Sequence, residues 1–355
     1  MAKNVFILGA GTSVVAGAPL MSNFLDKARL LGLVNRSEDN IDMVFRAIEE
    51  LRVAHFKSYI DLDNIESVFG AIEMSRILKR FGVYSKEDIE KLSNATKRLI
   101  VLTLENSIKF EVSGSGAKPF VPHADFVKMI VELGGRGRMN EVAVITFNYD
   151  ILIDYACYYQ RVPIEYCLAE AQYVNSLKYL KLHGSLNWAT CKKCGSIVPW
   201  HFSDFFSKYH FSIWPGETKS VHIDIGSKIG NMEHCAQKVS GEPFIVPPTW
   251  NKSEYHKFLS NVWSQAAKEL SDAENIFIIG FSLPETDMFF KYLFALGSIG
   301  SGHIERFWVF NPDNSGGVEN RYRELIGTGI QRRFKYLTLP FREALPKIKS
   351  ELRLK

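Results

Sequence analysis

A chain of 355 residues is long enough to enclose one large core with a subsidiary unit or two. Its 46% hydrophobic and 23% charged residues are ordinary for a globular protein and exclude a disordered or fibrous one. The net charge of +4 is too small to argue for nucleic acid, and the basic clusters at 136–138, 332–333 and 347–355 read as solvated surface.

The amino terminus carries no basic leader, and its first apolar run, residues 5–8, is too short for an export signal. With Asn4 that run predicts a short strand, broken by Gly9-Ala10-Gly11 before a helical pattern resumes near Asn23-Phe24-Leu25. From about residue 41 to residue 110 the pattern is helical throughout, with Asp63-x-x-Glu66 and Ser85-x-x-Asp88 as helix-start signatures. This stretch reads as an inserted helical subdomain serving assembly or gating. Residues 112–118 read as a loop. A helix over 124–133 follows, then strand 141–147 ending in Asn148-Tyr149-Asp150, helix 151–159, and strand 179–182 ending in His183-Gly184-Ser185. Between about 189 and 242 the rhythm is lost, and three cysteines, four histidines and many aromatics suggest a separate small module. Beyond Pro247-Pro248, helices at 254–270, after Pro284 and at 318–326 alternate with strands 275–279, 306–310 and 334–337, before a closing helix.

Apolar strands alternating with helices predict an α/β fold, a doubly wound, mostly parallel, Rossmann-like sheet covered on both faces. The expected core takes residues 1–40, 119–188 and 245–355, with the helical subdomain at 41–118 and the cysteine module at 189–244. No stretch reaches the ~20 apolar residues of a membrane helix, so a cytoplasmic protein is expected.

Open parallel sheets bind ligands at the carboxyl ends of their strands. Four segments fall there: Gly9-Ala10-Gly11-Thr12-Ser13, Asn148–Asp150, His183–Ser185 and Gly280-Phe281-Ser282. The first departs from the dinucleotide fingerprint, whose third glycine would fall at Val14, and no acid-ended strand follows at ~20 residues; an ordinary dehydrogenase is disfavoured. Its glycines suit either a phosphate against a helix N-terminus or simply a tight strand-to-helix turn. Asp150 suits capping of the next helix, leaving Asn148 free to point into the crevice. His183 is either a hydrogen-bonded structural residue or a proton-transfer group, its ordinary pKa of ~6.5 suiting neutral pH.

In this order the segments resemble the sirtuin family. Gly9-Ala10-Gly11-Thr12-Ser13 looks like its GAG-x-S opening, and Thr146-Phe147-Asn148-Tyr149-Asp150 is similar to its T-Q-N-x-D motif. Lys181-Leu182-His183-Gly184 resembles the strand carrying its catalytic histidine, Gly280-Phe281-Ser282-Leu283 its G-T/S-S-L ribose loop, and Asn311 the asparagine near the adenine ribose. The resemblance, confined to short motifs across residues 4–313, implies NAD+ as substrate and Asn148 and His183 as catalytic residues. It further implies that Gly9, Ala10, Gly11, Thr12, Ser13, Asp150, Gly280, Phe281, Ser282 and Asn311 bind the dinucleotide.

Departures narrow the resemblance. Leu20-Met21-Ser22 follows Gly17-Ala18-Pro19 where the family carries an aspartate and an arginine, and Phe147 replaces a glutamine. Ile245-Val246-Pro247-Pro248-Thr249-Trp250 stands where deacetylases carry a peptide-binding loop. With Asn64-Ile65-Glu66 in the insertion, these features look like the bacterial sirtuin-like branch that depletes NAD in antiphage defence. That branch implies an NAD+ hydrolase, a homo-oligomer, and a partner protein sensing phage or nucleic acid. The rivals are an NAD-dependent protein deacylase, which the missing peptide loop disfavours, and a non-catalytic NAD or ADP-ribose sensor, which the retained Asn148 and His183 disfavour.

The five cysteines are odd in number, which in a cytoplasmic chain favours thiols or a metal over disulfides. Cys191-Lys192-Lys193-Cys194 is half of a structural zinc site. The second half is incomplete, leaving Cys235 with one of His201, His222 or His234 to finish a tetrahedral set. The alternative is a metal-free module packed by aromatics such as Trp200, Phe205, Phe206 and Trp214. Cys157 and Cys167 read as core or free thiols.

Overall fold

The computed structural model describes residues 3–37, 39–54, 59–113, 116–135, 137–169, 175–209, 220–246, 253–284, 288–297 and 303–354. Strand β1 (Asn4–Leu8) leads into three short 3-10 turns before helix α1 (Phe24–Leu30). The stretch expected to be helical supplies α2 (Ile41–Ala54), α3 (Ile65–Leu78) and α4 (Lys86–Ser107). Ser85 caps α4 as a reciprocal box with Asp88. The other start signature is displaced by one residue. Asn64 caps α3 by accepting from the Glu66 N–H at 2.9 Å, while the Asp63 N–H is bound within the preceding turn by Asp61.

Within the stretch 112–118 expected to be a loop, the described residues are strands rather than loop. Strand β2 (Phe110–Ser113) pairs antiparallel with β3 (Gly116–Lys118), and β9 (Ser220–Val221) extends the ribbon. Its serines and glycines conceal the strand, but Phe110 and Ala117 are buried.

The main sheet adds β4 (Val142–Thr146), β5 (Ile164–Glu165), β6 (Leu177–Lys181), β12 (Asn275–Ile279), β13 (Arg306–Phe310) and β14 (Phe334–Leu337). Its order is β14-β13-β12-β1-β4-β6-β5, and all seven strands run parallel. The expected doubly wound sheet is therefore present; only the two-residue β5 gave no sequence signal. The helices are α5 (Val121–Gly134), α6 (Leu152–Tyr159), α8 (Ser253–Ser271), α9 (Met288–Gly297), α10 (Gly317–Leu325) and α11 (Phe341–Glu351). Phe6 of β1 meets Phe126 of α5 edge-on at 5.4 Å, whereas Phe307 of β13 meets Phe294 of α9 at 5.3 Å. Phe6 shares its register, through Phe277, with Trp308, so Phe307 points to the opposite face. Burial on both faces explains why β4 and β12 read as continuous apolar runs.

The cysteine module holds β7 (Trp188–Thr190), β8 (Ile197–Pro199), α7 (Phe202–Lys208), β10 (Glu233–His234) and β11 (Gln237–Lys238). Its buried Trp200, Phe205, Ile225 and Ile229 join Phe69, Leu99 and Val101 of the helical insertion in one apolar cluster, apart from the core around the sheet. No described helix is long and apolar enough to cross a membrane.

Candidate functional site

The chain runs from β1 to β4 on one side and later returns to β12 on the other. The carboxyl ends of these strands therefore border a topological switch point, where a crevice opens in such sheets. The loops after β1 and β12 meet there through bare backbone. A Cβ on Gly9 would lie 2.4 Å from the Phe281 Cα, and one on Gly280, whose φ is +65°, would lie 2.7 Å from the Thr12 nitrogen. Only glycine permits this junction, which the Gly11 N–H closes by donating to the Gly280 carbonyl at 2.9 Å. The glycines make a tight turn: Ala10–Thr12 is a single 3-10 turn, and the first α-helix begins only at Phe24.

Asn148 leaves β4 half-buried and is not free. Its Nδ2 donates to the Gly9 carbonyl at 3.0 Å and faces Thr12 Oγ1 and Ser13 Oγ, each at 3.2 Å. The Gly9 carbonyl can only accept, which fixes the amide and turns Oδ1 the other way. Asp150 does two things. Its Oδ1 accepts from the Leu152 N–H at 3.0 Å, starting α6, and its Oδ2 accepts from Ser13 at 2.6 Å, tying the first loop to the second. Thr12 donates back to the Gly9 carbonyl at 2.8 Å, and Ala10 is half-buried.

His183 is buried, with its ring edge-on to Phe147 at 5.1 Å and near Tyr149 at 6.2 Å. Its carbonyl accepts from the Val246 N–H at 2.8 Å, and Tyr149 donates to the Val246 carbonyl at 2.7 Å. Residues 247–250, the rest of the segment that replaces the expected peptide loop, lie outside the described residues, as does Trp214.

On the β12 side, the Phe281 carbonyl accepts from Tyr322 at 2.9 Å and from Asn311 at 3.5 Å. Arg321 donates to the carbonyl of the exposed Ser282 at 3.0 Å. Phe281 stacks flat on Phe147, with centroids 4.4 Å apart, and both set an edge against Phe290. Phe147, the departure from T-Q-N-x-D, thus has its partner in the neighbouring loop.

Two residues escaped the sequence reading. Lys181, fully buried, donates to the Asp150 carbonyl at 2.6 Å and pairs with the equally buried Asp154 at 3.0 Å; a lysine closing the five-residue strand β6 was the available signal. His123 of α5 is buried beside the Thr12 backbone, and neither ring nitrogen has a hydrogen-bond partner among the described residues. Burial depresses its pKa to about 3.

Away from the crevice, Cys191, Cys194, Cys235 and His234 place their ligand atoms within 4.8 Å of one another. The first two sit where β7 turns into β8. Cys235 and Ala236 form the two-residue turn between β10 and β11, both with the positive φ of a type I′ hairpin. Among the three candidate histidines the geometry selects His234, whose Nδ1 lies 3.3 Å from the Cys235 sulfur; His222 is engaged by the Glu105 and Ile108 carbonyls. The Cys194 N–H aimed at Cys191, and the Ser196 N–H aimed at Cys194, hold those thiols below their ordinary range. Three thiols and one imidazole suit tetrahedral zinc. The aromatic packing is present too, with Trp200 edge-on to Phe205 at 5.2 Å. Cys157 and Cys167 are buried thiols raised by desolvation, Cys167 to about 12.

No protein-family model matches the sequence, and no curated protein does. Solved structures that overlap it are Sir2 proteins. One is described as a structural basis for the mechanism and regulation of Sir2 enzymes, at 18% identity and a TM-score of 0.43 over 99% of this chain and 92% of that one. Another, a serine-to-alanine variant of a Sir2 homologue with ADP-ribose, gives 16% and 0.41 over 100% and 95%. A histidine-to-asparagine variant with ADP-ribose gives 17% and 0.40, also over 100% and 95%.

Proposed function

We propose that the chain binds NAD+ across the carboxyl ends of β1, β4, β6 and β12 and hydrolyses its nicotinamide–ribose bond. The observation that carries this reading is the Asn148 amide, which joins the β4 loop to a glycine loop 139 residues away, at the switch point where dinucleotides bind open sheets. The motifs that resemble the sirtuin set meet at that junction.

In the reaction the bond from C1′ to the nicotinamide nitrogen breaks, and its electron pair stays on the nitrogen, which leaves as neutral nicotinamide. A water oxygen bonds to C1′ and gives up one proton. The leaving group begins cationic, so no strong acid is required. The protein must orient the ribose, shield an oxocarbenium-like carbon and admit one water. Asn148 Oδ1 accepts from a ribose hydroxyl or from that water, and His183 takes the proton. Gly9–Ser13 and Gly280–Ser282 bear on the diphosphate and riboses, Asn311 holds the second loop, and Phe147 on Phe281 forms a dry wall.

At Val246 the N–H is already engaged by the His183 carbonyl, so a peptide strand finds no donor there; this favours hydrolysis over deacylation. The motif departures support depletion of NAD+ in antiphage defence, in the cytoplasm, as a homo-oligomer governed by a partner protein that senses phage or nucleic acid. Zinc at Cys191, Cys194, His234 and Cys235 would be structural.

Incubating purified protein with NAD+ and identifying the products tests the reading. Nicotinamide and ADP-ribose without peptide are expected. Release that depends on an acetylated peptide would assign a deacylase, and binding without turnover would assign a sensor.

A further inference from the structure

A chain of buried side chains runs beneath the two reacting-centre loops. The Lys181 ammonium donates to the Asp150 carbonyl at 2.6 Å and to Asp154 Oδ2 at 3.0 Å, with the Tyr179 ring 5.4 Å away. Tyr166 donates to the other Asp154 oxygen at 2.6 Å and accepts from Asn187 at 3.4 Å. Asn187 Oδ1 in turn accepts from Ser185 at 2.7 Å, two residues beyond His183. The path thus starts on the backbone that follows Asn148 and ends on the backbone that follows His183.

Placing an ammonium and a carboxylate at zero exposure costs solvation that a well-packed apolar pair would avoid. What such a pair supplies instead is direction: the buried ammonium is held by two fixed acceptors, and each carboxylate oxygen of Asp154 has its own donor. From this we infer that Lys181, Asp154, Tyr166, Asn187 and Ser185 form a positioning network that fixes the separation of Asn148 from His183. They are positioning residues, since each acts on the reacting centre through another group. The inference rests on the hydrolase reading for its kinetic consequence, but not for its structural one.

Tyr166→Phe removes one hydroxyl and cuts the path at its middle while leaving the Lys181–Asp154 pair intact. Small misplacements of reacting groups cost up to ~10²-fold. Tyr166→Phe should therefore lower nicotinamide release roughly 10-fold to 10²-fold, with NAD+ affinity within about twofold of wild type. The variant Lys181→Met with Asp154→Leu removes both charges together, so no lone charge is left buried, and should show the same split. Turnover per folded molecule equal to wild type in both variants would overturn the network. The second readout is the His183 ring resonance by NMR, expected to shift in Tyr166→Phe. If wild-type protein shows no turnover at all, the hydrolase reading fails, and an unmoved His183 resonance in Tyr166→Phe then overturns the network separately.

Discussion

Asn148 spends its one planar donor group on a carbonyl that cannot reciprocate, so its replacement by an acid is more informative than truncation. In Asn148→Asp an acceptor-only carboxylate would face the Gly9 carbonyl, and the loss of a hydrogen bond in a half-buried site costs about 1–3 kcal/mol. NAD+ affinity by calorimetry should fall about 10-fold to 10²-fold; affinity within twofold would show that the amide does not hold the glycine loop. His123 gives a pH signature. Its folded pKa, about 3, lies below the ordinary ~6.5, so the fold keeps it neutral while the unfolded chain takes up a proton. Its stabilising contribution is complete above pH ~6.5 and is lost as pH falls toward 3, at up to about 1.4 kcal/mol per pH unit. His123→Phe, which suits the aromatic edges of Phe120 and Phe341, should flatten that part of the denaturation midpoint between pH 7 and pH 5. An unchanged slope would clear His123 of the effect.

At the scale of elements, the two cysteine hairpins make a joint prediction. If their four donors hold zinc, purified protein carries about one equivalent, and Cys191→Ser loses metal and thermal stability together. Metal content near zero in protein prepared without chelator would contradict the site. The first two ligands were legible because Cys-x-x-Cys is a local spacing; His234 was legible only as one of three candidates, because two hairpins distant in sequence must fold together to select it. The same division holds along the chain. Strands β1, β12 and β13 were readable as apolar runs buried on both faces, whereas β2 and β3 hid behind serines and glycines that strand propensity penalises. The strand-end residues were visible as motifs, but not the use of their glycines. Close approach of Gly9 to Gly280 is a contact across the sheet, and no local spacing records it. The role of Lys181 was hidden for a related reason: a buried charge is intelligible only beside Asp154.

At the scale of the molecule the described residues gather in two apolar cores, and the second bears on how the helical stretch 41–110 can be tested. That core mixes Phe69 and Leu99 of the insertion with Trp200 and Phe205 of the cysteine module, and Glu105 of α4 accepts from the Gly226 N–H at 2.7 Å. Excising residues 41–110 would bare the module's apolar side, so the truncated protein should lose cooperative thermal unfolding and soluble yield. A well-folded truncated protein would show that the shared core is dispensable. The most direct test of the central claim is nicotinamide release from NAD+ by purified full chain and its Asn148→Ala and His183→Ala variants, alongside NAD+ affinity. His183 is buried against Phe147 and Tyr149, so the folded fraction of each variant is measured and turnover is expressed per folded molecule. The expected result is turnover by wild type and a loss of ~10²–10⁴-fold in His183→Ala with NAD+ still bound, and comparable loss with somewhat weaker binding in Asn148→Ala. Near-wild-type turnover by folded His183→Ala would contradict the assignment.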